Sequence, residues 1–391
     1  MSEWKEYKLG EVCDVRDGTH DSPKAKPSGY PLVTSKNIKD GKIDLLNTYL
    51  ISEADYRFVN QRSKVEQWDI LYSMIGTIGE CAIVKDVPTF AIKNVGLFKT
   101  NGNQLLAQWI YYYLHSSVAQ KELTGRIKGS TQQYISLTDL REFPIMIPPI
   151  DELERIAGVL SSLDDKIDLL NRENATLEAI AETLFRHYFI ENPDPTWKEG
   201  KLGDILSVKG GTTPSTNEPK YWNGNIAWTS PRDVTTLNGM YLFKTERTIT
   251  EEGLAKISSG LLPAGTLLMS SRAPVGVLAF AEIPVAINQG YIAIIDDKGY
   301  PKEFIYLWLK ENMDAVHSYS NGSTFMEISK AAFKSLDITI PDKSTVIEFN
   351  EQVKPLFEKI KFNQRQILSL SVQRDMLLPR LMSGEVKVDS H

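Results

Sequence analysis

The stretch WKEYKLGEVCDVRDGT, residues 4–19, occurs a second time in altered form as WKEGKLGDILSVKGGT, residues 197–212. Two further pairs of segments repeat in the same order: DILYSMIGTIG (69–79) with TLLMSSRAPVG (266–276), and GSTQQYISLTDLREFPIMIPP (129–149) with GSTFMEISKAAFKSLDITIPD (322–342). Collinear repetition of this kind is the mark of a duplicated structural unit. The chain is therefore predicted to contain two copies of one domain.

Composition places the chain among ordinary globular proteins. Its 391 residues are 42% hydrophobic, enough for two or three domains. No apolar run reaches the roughly 18 residues of a membrane span, and the start of the chain is polar, so we expect no membrane partner and a cytoplasmic location. Cys13 and Cys81 lack the spacing of a zinc site or a disulfide framework.

Each half closes with a long heptad pattern, whose apolar seam is the second organising feature. A repeat of 3.5 residues sustained over about four heptads is typical of a coiled coil, so we expect the two helices to pair. The alternative is that each helix packs on its own domain. The predicted seam residues are Leu160, Leu163, Ile167, Leu170, Asn174 and Leu177 in the first helix, and Leu356, Ile360, Asn363, Ile367, Leu370 and Leu377 in the second.

Polar and proline residues modify this helical pattern. Asn174 and Asn363 fall on the seam, where a polar side chain sets register and partner. Pro355 lies inside the second pattern and predicts a kink or break, because proline removes a helix hydrogen bond. The uninterrupted helix is then expected from about residue 355 to 382, with Gly384 as its stop.

Between the helical patterns, short strands dominate, and the fold class is predicted as α+β. Strands are expected at 8–15, 69–74, 81–84, 95–99, 202–208, 266–270, 277–280 and 291–295, and helices at 104–115 and 302–312. The organisation is two tandem β-rich recognition domains, at 1–150 and 191–341, each followed by a long helix. The helices occupy 151–190, the central spacer, and 342–391, which includes the tail.

The charge distribution bears on the partners. The formal net charge is -6, which is unusual for a protein that binds nucleic acid. The acidity is concentrated in residues 151–193, which hold ten Asp and Glu against four Lys and Arg. We interpret this helix as a solvated or partner-facing surface and the domains as near neutral with local basic loops.

Motifs of catalysis are missing from the sequence. There is no phosphate-binding P-loop, no dinucleotide-binding glycine turn and no histidine pair at metal-ligand spacing. The best nuclease-like set is Asp342 with Glu385 and Lys387, but these residues lie at opposite ends of the second helical pattern, so we interpret them as a strand end and a frayed tail. We therefore predict a non-catalytic protein that holds no catalytic residue, metal or cofactor of its own.

Polar loops occur at matching positions of the two halves and are the candidates for DNA contact. Hydroxyl and basic side chains suit phosphate, and amides suit base edges, although a solvated turn is the alternative for each loop. The candidates in the first half are Thr19, His20, Lys36, Asn37, Arg126, Lys128, Ser130, Thr131, Gln132 and Gln133, and those in the second are Thr212, Thr213, Arg232, Arg272, Gln289, Asn321, Ser323 and Thr324.

The repeat allows the two halves to be compared. Residues that both halves share, such as Gly18 and Gly211, are expected to build the scaffold or touch phosphate, since neither task depends on DNA sequence. Residues that differ can read different bases. By this reasoning His20 belongs to one half-site and Arg272 to the other.

The layout resembles the DNA specificity subunits of type I restriction-modification systems over essentially the full chain. Gly211-Thr212-Thr213-Pro214-Ser215 and Ala286-Ile287-Asn288-Gln289-Gly290 look like phrases common in that family, and the first half departs from both. The resemblance implies that the two helices pair as an antiparallel coiled coil with pseudo-twofold symmetry. It also implies that each domain reads one half of a bipartite, asymmetric site on double-stranded DNA.

The resemblance places the chemistry in other subunits of a phage-defence complex. Two modification subunits would methylate adenine with S-adenosylmethionine, and restriction subunits would translocate and cleave DNA with ATP and Mg²⁺. This chain would then be the specificity subunit, without cofactor or activity of its own. The alternative is an independent coiled-coil DNA-binding or scaffolding protein without a methyltransferase partner.

Overall fold

The computed structural model describes residues 4–130, 133–295, 298–320 and 326–388. The chain forms two compact units, Met1–Lys166 with Leu370–His391, and Ile167–Ser369. Each unit combines one globular part with a segment of each long helix. We call them unit 1 and unit 2.

The core of unit 1 is a four-stranded antiparallel sheet in the order β2-β10-β7-β8. A mixed sheet, β6-β3-β9, and a ribbon of β1 with β11 complete the β structure together with the β4–β5 hairpin. The strands are β1 (Lys5–Lys8), β2 (Asp14–Asp17), β3 (Tyr30–Val33), β4 (Ile38–Lys39), β5 (Lys42–Ile43), β6 (Tyr49–Ile51), β7 (Ile70–Ser73), β8 (Cys81–Ile83), β9 (Ala91–Ile92), β10 (Val95–Lys99) and β11 (Pro144–Ile147). The helices are α1 (Leu9–Val12), α2 (Glu53–Ser63), α3 (Gln104–His115), α4 (Ser117–Arg126), α5 (Leu137–Arg141) and α6 (Ile150–Arg186).

Unit 2 repeats this topology. Its larger sheet has the order β13-β20-β17-β18-β15, and its mixed sheet has the order β16-β14-β19. The strands are β12 (Lys198–Lys201), β13 (Ser207–Lys209), β14 (Trp222–Thr229), β15 (Tyr241–Leu242), β16 (Arg247–Ile249), β17 (Thr266–Ser270), β18 (Leu278–Ala281), β19 (Val285–Ile287), β20 (Tyr291–Ile295) and β21 (Asp337–Ile340). The helices are α7 (Leu202–Ile205), α8 (Pro231–Thr235), α9 (Glu251–Leu254), α10 (Lys302–Glu311), α11 (Met313–Ser318), α12 (Lys330–Lys334) and α13 (Lys343–Met382).

The strand register shows how closely the two units correspond. In unit 1 Lys5 pairs with Ile147, and in unit 2 Lys198 pairs with Ile340, so both partners are displaced by the same offset. Both mixed sheets have one antiparallel and one parallel neighbour around the central strand. The same hydrophobic pattern therefore folds twice into closely similar sheets, and unit 2 adds β15 as a fifth strand of its larger sheet.

One part of the strand prediction is wrong. The segments expected as strands at 8–15 and 202–208 each contain a one-turn helix, α1 and α7, between two strands. The reason is a local cap: the Glu11 carboxylate accepts a hydrogen bond from the Lys8 backbone N–H, and Asp204 does the same for Lys201. An acidic residue three positions after the capping residue is a signal for the start of a helix, so the sequence contained the information for these two turns.

The long helices pair antiparallel within each unit, as the resemblance implied. In unit 2, Asn174 of α6 contacts Asn363 of α13, while Tyr188, just past α6, contacts the earlier residue Gln352. In unit 1, Asp164 of α6 binds Arg374 of α13 at 2.8 Å. As the residue number rises along α6, the number of the contacting residue in α13 falls, which shows that the two helices run antiparallel.

The ends of the helices also pack on the globular cores. Leu153 and Leu160 share the core of unit 1 with Trp109, and Val353 shares the core of unit 2 with Phe304. The heptad pattern left open whether the two helices pair with each other or pack on the globular domains. Each of the two helices does both. Of the predicted seam, Leu160, Ile167, Leu170, Ile360, Asn363 and Ile367 are buried, and Leu163, Asn174, Leu177, Leu356, Leu370 and Leu377 are half-buried.

The break expected at Pro355 is absent, since α13 runs without interruption from Lys343 to Met382. Proline inside a helix costs about 3 kcal/mol. Val346, Phe349, Val353 and Phe357 are all at most 2% exposed in the core of unit 2, and each contributes about 1.5–3 kcal/mol. This burial outweighs the proline. The helix ends where expected, because Gly384 adopts a left-handed conformation at φ 69°.

Candidate nucleic-acid interface

The candidate loops of unit 1 leave one edge of the four-stranded sheet. β10 begins where β2 and β7 end, because Gly96 pairs with Asp17 and Val95 pairs with Ser73. The loops that follow Asp17 and Ser73 and the loop that precedes Val95 are therefore neighbours. We call this the reading edge of unit 1.

Unit 2 has an equivalent reading edge. β20 begins beside the end of β17, where Tyr291 pairs with Ser270, and β13 ends at Lys209 opposite Ala293. The loops after Lys209 and Ser270 and before Tyr291 therefore converge. Strand pairing brings together residues that lie up to about 80 positions apart in the sequence.

The residues that follow the two Gly-Ser-Thr motifs, Ile135 and Ile328, contact the same edges. In unit 1 the Ile135 N–H donates to the Met74 carbonyl at 3.0 Å, and in unit 2 the Ile328 N–H donates to the Ser271 carbonyl at 3.0 Å. Each contact fixes a later loop against the turn that follows the central strand. The candidates Thr131, Gln132, Asn321, Ser323 and Thr324 in these segments lie outside the described residues.

At each reading edge a glycine that both halves share lies directly against a neighbouring strand. A β-carbon on Gly18 would lie 2.5 Å from the carbonyl oxygen of Ile92, and one on Gly211 would lie 1.7 Å from that of Ile287. Real β-carbons do not approach so closely, so only glycine allows the first loop to lie on β9 or β19. Shared glycines were expected either to build the scaffold or to touch phosphate, and this geometry gives Gly18 and Gly211 the first of these roles.

The side chain of His20 is held from both sides. One ring nitrogen lies 2.9 Å from the Asp17 carboxylate and the other lies 2.8 Å from the carboxamide oxygen of Asn94. Asp17 is itself buried and binds Arg62 at 2.5 Å. The His20 ring is 68% exposed, so a rigid polar cluster faces solvent at this edge.

Unit 2 has a hydroxyl where unit 1 has the histidine. The Thr213 hydroxyl donates to the carboxamide oxygen of Gln289 at 2.7 Å, and both residues are exposed. The neighbouring Thr212 is engaged in the fold, since its hydroxyl donates to the Lys256 carbonyl and accepts from the Ser258 N–H. Thr19, at the equivalent position of unit 1, is half-buried and accepts from the Asp21 N–H.

Four cations stand at or beside the edges. Lys36 is exposed and Arg272 is half-buried, and within the described residues the side chains of both lack a hydrogen-bond or ion-pair partner. Arg232 is 77% exposed and only loosely paired with Glu246, at 3.7 Å. Lys128 binds Asp139 at 2.7 Å, and this ion pair lowers the pKa of the Asp139 carboxyl. Ser130 and Gln133 are exposed beside Lys128.

Two candidates have internal partners that argue against a base contact. Asn37 is buried; its oxygen accepts from Thr34 and its nitrogen donates to the Asn47 carbonyl. Arg126 binds Glu122 at 2.7 Å and lies over the Phe143 ring. Both side chains hold local turns, so we leave them out of the proposed contacts. The sequence shows that Asn37 and Arg126 are polar, but it does not show that their side chains are engaged within the fold.

Asp17, Arg62 and Asn94 were not among the sequence candidates, although they organise the edge of unit 1. Asn94 sits at a left-handed φ of 52°, a conformation in which asparagine is favoured over most residues. In the repeat, Lys93-Asn94 of the first half matches Asn288-Gln289 of the second, and this match is the sequence signal for Asn94. Asp17 opens the polar loop Asp17-Gly18-Thr19-His20, which matches Gly210-Gly211-Thr212-Thr213 in the repeat. Nothing in the sequence singled out Arg62, whose contact with Asp17 spans 45 positions.

Two reactive side chains outside the reading edges, Cys13 and Asp342, belong to the framework of the fold. Burial raises the pKa of the Cys13 thiol to about 12, so this thiol stays protonated at neutral pH. Asp342 caps α13 by accepting from the Thr345 N–H at 3.0 Å. Over the described ranges, no three His, Cys, Asp or Glu residues are grouped in a way that could hold a metal ion.

None of the helices in the described part of the chain combines the length and apolar composition needed to cross a membrane.

Comparisons with known proteins agree with this duplicated architecture. A family model described as the type I restriction modification DNA specificity domain matches residues 1–179 and again residues 195–370. The two matches confirm the internal repeat. The chain belongs to this family of type I restriction-modification DNA specificity proteins.

Individual relatives support the assignment. The specificity subunit of the type I restriction enzyme MjaIX from Methanocaldococcus jannaschii is 36% identical over 41% of this chain and 38% of its own length. The HindI specificity subunit from Haemophilus influenzae is 23% identical over 99% of this chain and 100% of its own length. The crystal structure of a type I system S subunit from M. genitalium has a TM-score of 0.61 at 18% identity, and covers 100% of this chain and 97% of its own. This last likeness is one of fold.

Proposed function

We propose that the two reading edges are the DNA-contacting surfaces of this specificity subunit, one for each half of a bipartite, asymmetric site. The observation that carries the proposal is that the same edge of the same sheet holds exposed polar side chains in both units. The scaffold beneath is shared, as Gly18 and Gly211 show.

The differences between the edges support an asymmetric site. His20 and Asn94 of unit 1 correspond to Thr213 and Gln289 of unit 2, and Ser35-Lys36-Asn37 corresponds to Ser230-Pro231-Arg232. Because base edges are distinguished by their donors and acceptors, different side chains on one scaffold read different bases. A duplicated domain whose two copies differ at such positions fits a site with two unlike halves.

The cations fit contacts with phosphate. Lys36, Lys128, Arg232 and Arg272 are the candidates, together with the hydroxyl of Ser130. Four cations neutralise few phosphates, and the chain carries a net charge of -6. We therefore expect the isolated chain to bind DNA weakly at physiological salt, with further phosphate contacts supplied by partner subunits.

The long helices are the proposed surface for those partners. Leu169 and Phe362 in unit 2 are 51% and 62% exposed, and Met376 in the α13 segment of unit 1 is 63% exposed. A partner that packs along these helices would bury such apolar side chains, which is favourable. The proposed partners are two modification subunits that methylate adenine with S-adenosylmethionine, and restriction subunits that use ATP and Mg²⁺. The cofactors would be bound by these subunits, and this chain would supply recognition without chemistry.

Methylome sequencing tests the proposal. The chain is expressed with its modification subunit in a host without other adenine methylation, and a bipartite methylated motif is expected. Exchange of residues 197–341 for the matching segment of a relative should change one half of the motif only. A change in both halves would contradict one unit per half-site. Tight, specific binding by the purified chain alone would favour an independent DNA-binding protein.

A further inference from the structure

Leu46 is the most exposed large apolar side chain in the described part of the chain, at 96%. It lies in the turn between β5 and β6, and the nearby Leu45 and Tyr49 are 38% and 36% exposed. One exposed leucine is ordinary on a protein surface, but a turn that leaves three large apolar side chains in water is a candidate contact surface. We call residues 44–49 the apolar turn.

Hydrogen bonds within the apolar turn fix its shape. The Asp44 carboxylate accepts from the Leu46 and Asn47 N–H groups, both at 3.1 Å, and from the Asn47 carboxamide at 2.6 Å. The Thr48 hydroxyl donates to the Leu45 carbonyl at 2.9 Å. Because the turn is already ordered, a ligand that covers Leu46 loses little binding free energy to ordering it.

The buried Asn37 connects the apolar turn to the reading edge of unit 1. Its carboxamide nitrogen donates to the Asn47 carbonyl at 3.2 Å, and its own carbonyl accepts from the Asp44 N–H at 2.8 Å. Two residues earlier, the Ser35 hydroxyl donates at 3.3 Å to the carbonyl of Asn94, which belongs to the reading edge. The apolar turn therefore lies beside the reading edge, and Asn37 holds it there.

Unpaired cations precede the apolar turn. Lys36, Lys39 and Lys42 are exposed, and within the described residues none of their side chains has a hydrogen-bond or ion-pair partner. The acidic residues of the same segment are Asp40 and Asp44, and the Asp44 carboxylate is occupied by the turn itself. Three free cations around an apolar tip suit a polyanion such as DNA better than a neutral protein surface.

Unit 2 has a different side chain at the corresponding position. Leu46 lies three residues before β6, and Lys244 lies three residues before β16, the equivalent strand of the mixed sheet. Phe243, which corresponds to Leu45, is half-buried, and the Arg365 guanidinium lies 5.2 Å from its ring centre. The exposed apolar tip is therefore a feature of one half of the duplicated chain.

We propose that Leu46 is a wedge that enters between two neighbouring base pairs at the half-site of unit 1, unstacks them and bends the duplex. Apolar side chains that accompany basic residues deform DNA in this way. The inference rests on the proposed function of the reading edges and adds deformation of the DNA to it. Because pyrimidine–purine steps unstack most readily, this half-site should favour such a step where Leu46 enters.

The experiment follows base stacking in the full complex of this chain with its modification subunits. Methylome sequencing first gives the motif. 2-Aminopurine, whose fluorescence rises when a base loses its stacking, then replaces each purine in and beside the unit 1 half-site in turn. The adenine that is flipped out for methylation gives one signal. We expect a second signal at another step with the wild-type chain and none there with Leu46→Ala.

Leu46→Ala should also change affinity and DNA shape. The affinity of the complex for its site should fall by about tenfold or more, the lower limit for losing a buried leucine side chain. Energy transfer between dyes at the two ends of the duplex should report a bend that is smaller by at least about 20°. The thermal midpoint of the variant should equal that of wild type, because Leu46 makes little contact with the rest of the fold.

Three further variants serve as controls. Leu46→Met keeps an apolar side chain of similar volume and should retain the second signal. Leu46→Gln keeps the length of the side chain but makes it polar, so it should behave like Leu46→Ala. Lys244→Ala is the matched change in unit 2 and should leave both signals at the unit 1 half-site unchanged.

The outcomes separate this inference from the proposed function. A wild-type complex in which only the flipped adenine loses its stacking would overturn the inference, and so would a second signal that persists in both Leu46→Ala and Leu46→Gln. Failure of Leu46→Ala to assemble with the modification subunits without DNA, measured by mass photometry, would make the apolar turn a protein contact and also overturn it. Absence of a bipartite methylated motif with the wild-type chain would instead defeat the proposed function.

Discussion

Asn363 of α13 is fully buried and donates a hydrogen bond from its carboxamide nitrogen to the carboxamide oxygen of Asn174 on α6, 2.9 Å away. The same nitrogen also donates to the Glu173 carboxylate at 2.9 Å. A polar pair at this depth fixes which residues of the two helices face each other, at a cost in stability. Both residues belong to unit 2.

Replacing one member of this pair should destabilise the protein more than replacing both. Asn174→Leu removes one partner of a buried amide and should lower the free energy of unfolding by about 1–2 kcal/mol. Asn174→Leu with Asn363→Leu substitutes an apolar pair and should recover most of that loss. Urea denaturation measures both. Losses that simply add in the double variant would show that the two amides are not coupled.

Gly211 should not tolerate a side chain. Gly211→Ala places a β-carbon 1.7 Å from the Ile287 carbonyl oxygen, so the loop or β19 must move, and we expect a loss above about 3 kcal/mol. Gly158→Ala is the matched control, because its β-carbon meets nothing within 4 Å. Alanine in that helical position should stabilise by about 0.5–1 kcal/mol. Equal thermal midpoints for the two variants would contradict the close approach.

The cap of α13 predicts a dependence on pH. The pKa of Asp342 is held well below its usual value, chiefly by the hydrogen bond from Ser344 and by those from the Thr345 backbone and hydroxyl. A carboxylate whose pKa is depressed in the folded state stabilises the fold above its unfolded pKa of 3.8, and this contribution is lost as pH falls below that value.

Asp342→Ala should therefore cost about 0.5–2 kcal/mol at pH 7. The difference from wild type should shrink as the pH is lowered from 4 toward 2, because the wild-type carboxyl is progressively protonated as it unfolds. Urea denaturation at several pH values tests this. A difference that stays constant across that range would mean that the negative charge of Asp342 contributes nothing to the cap.

Lys36 should contribute to DNA affinity without contributing to specificity. Loss of one phosphate contact weakens all sequences alike and reduces the slope of log affinity against log salt by about 1. Lys36→Ala in the complex should show both effects in a salt titration and leave the methylated motif unchanged. Lys5→Ala, an exposed lysine on β1 outside the reading edge, is the control. A changed motif would instead make Lys36 a base-reading residue.

Local sequence patterns predicted the regular elements well where each pattern had one structural solution. The strand predicted at Val95–Lys99 and the helical spacing at Gln104–His115 correspond to β10 and α3. The α2 helix was missed, because it buries little apolar surface, chiefly Val59. Its capping serine, Ser52, which accepts from the Asp55 N–H at 3.1 Å, was a usable signal.

The repeat and the heptads, read from the sequence alone, determined that the chain has two like domains and two long helices that pair, because periodic burial leaves its record in residue spacing. Whether Pro355 would break α13 was decided by packing on the core of unit 2, which no local pattern encodes. Tertiary structure also decided that Asn37 is buried, and that Asn94 meets His20 across 74 positions of sequence. Such contacts depend on strand order and register, which the surrounding fold imposes and which the residues concerned do not specify.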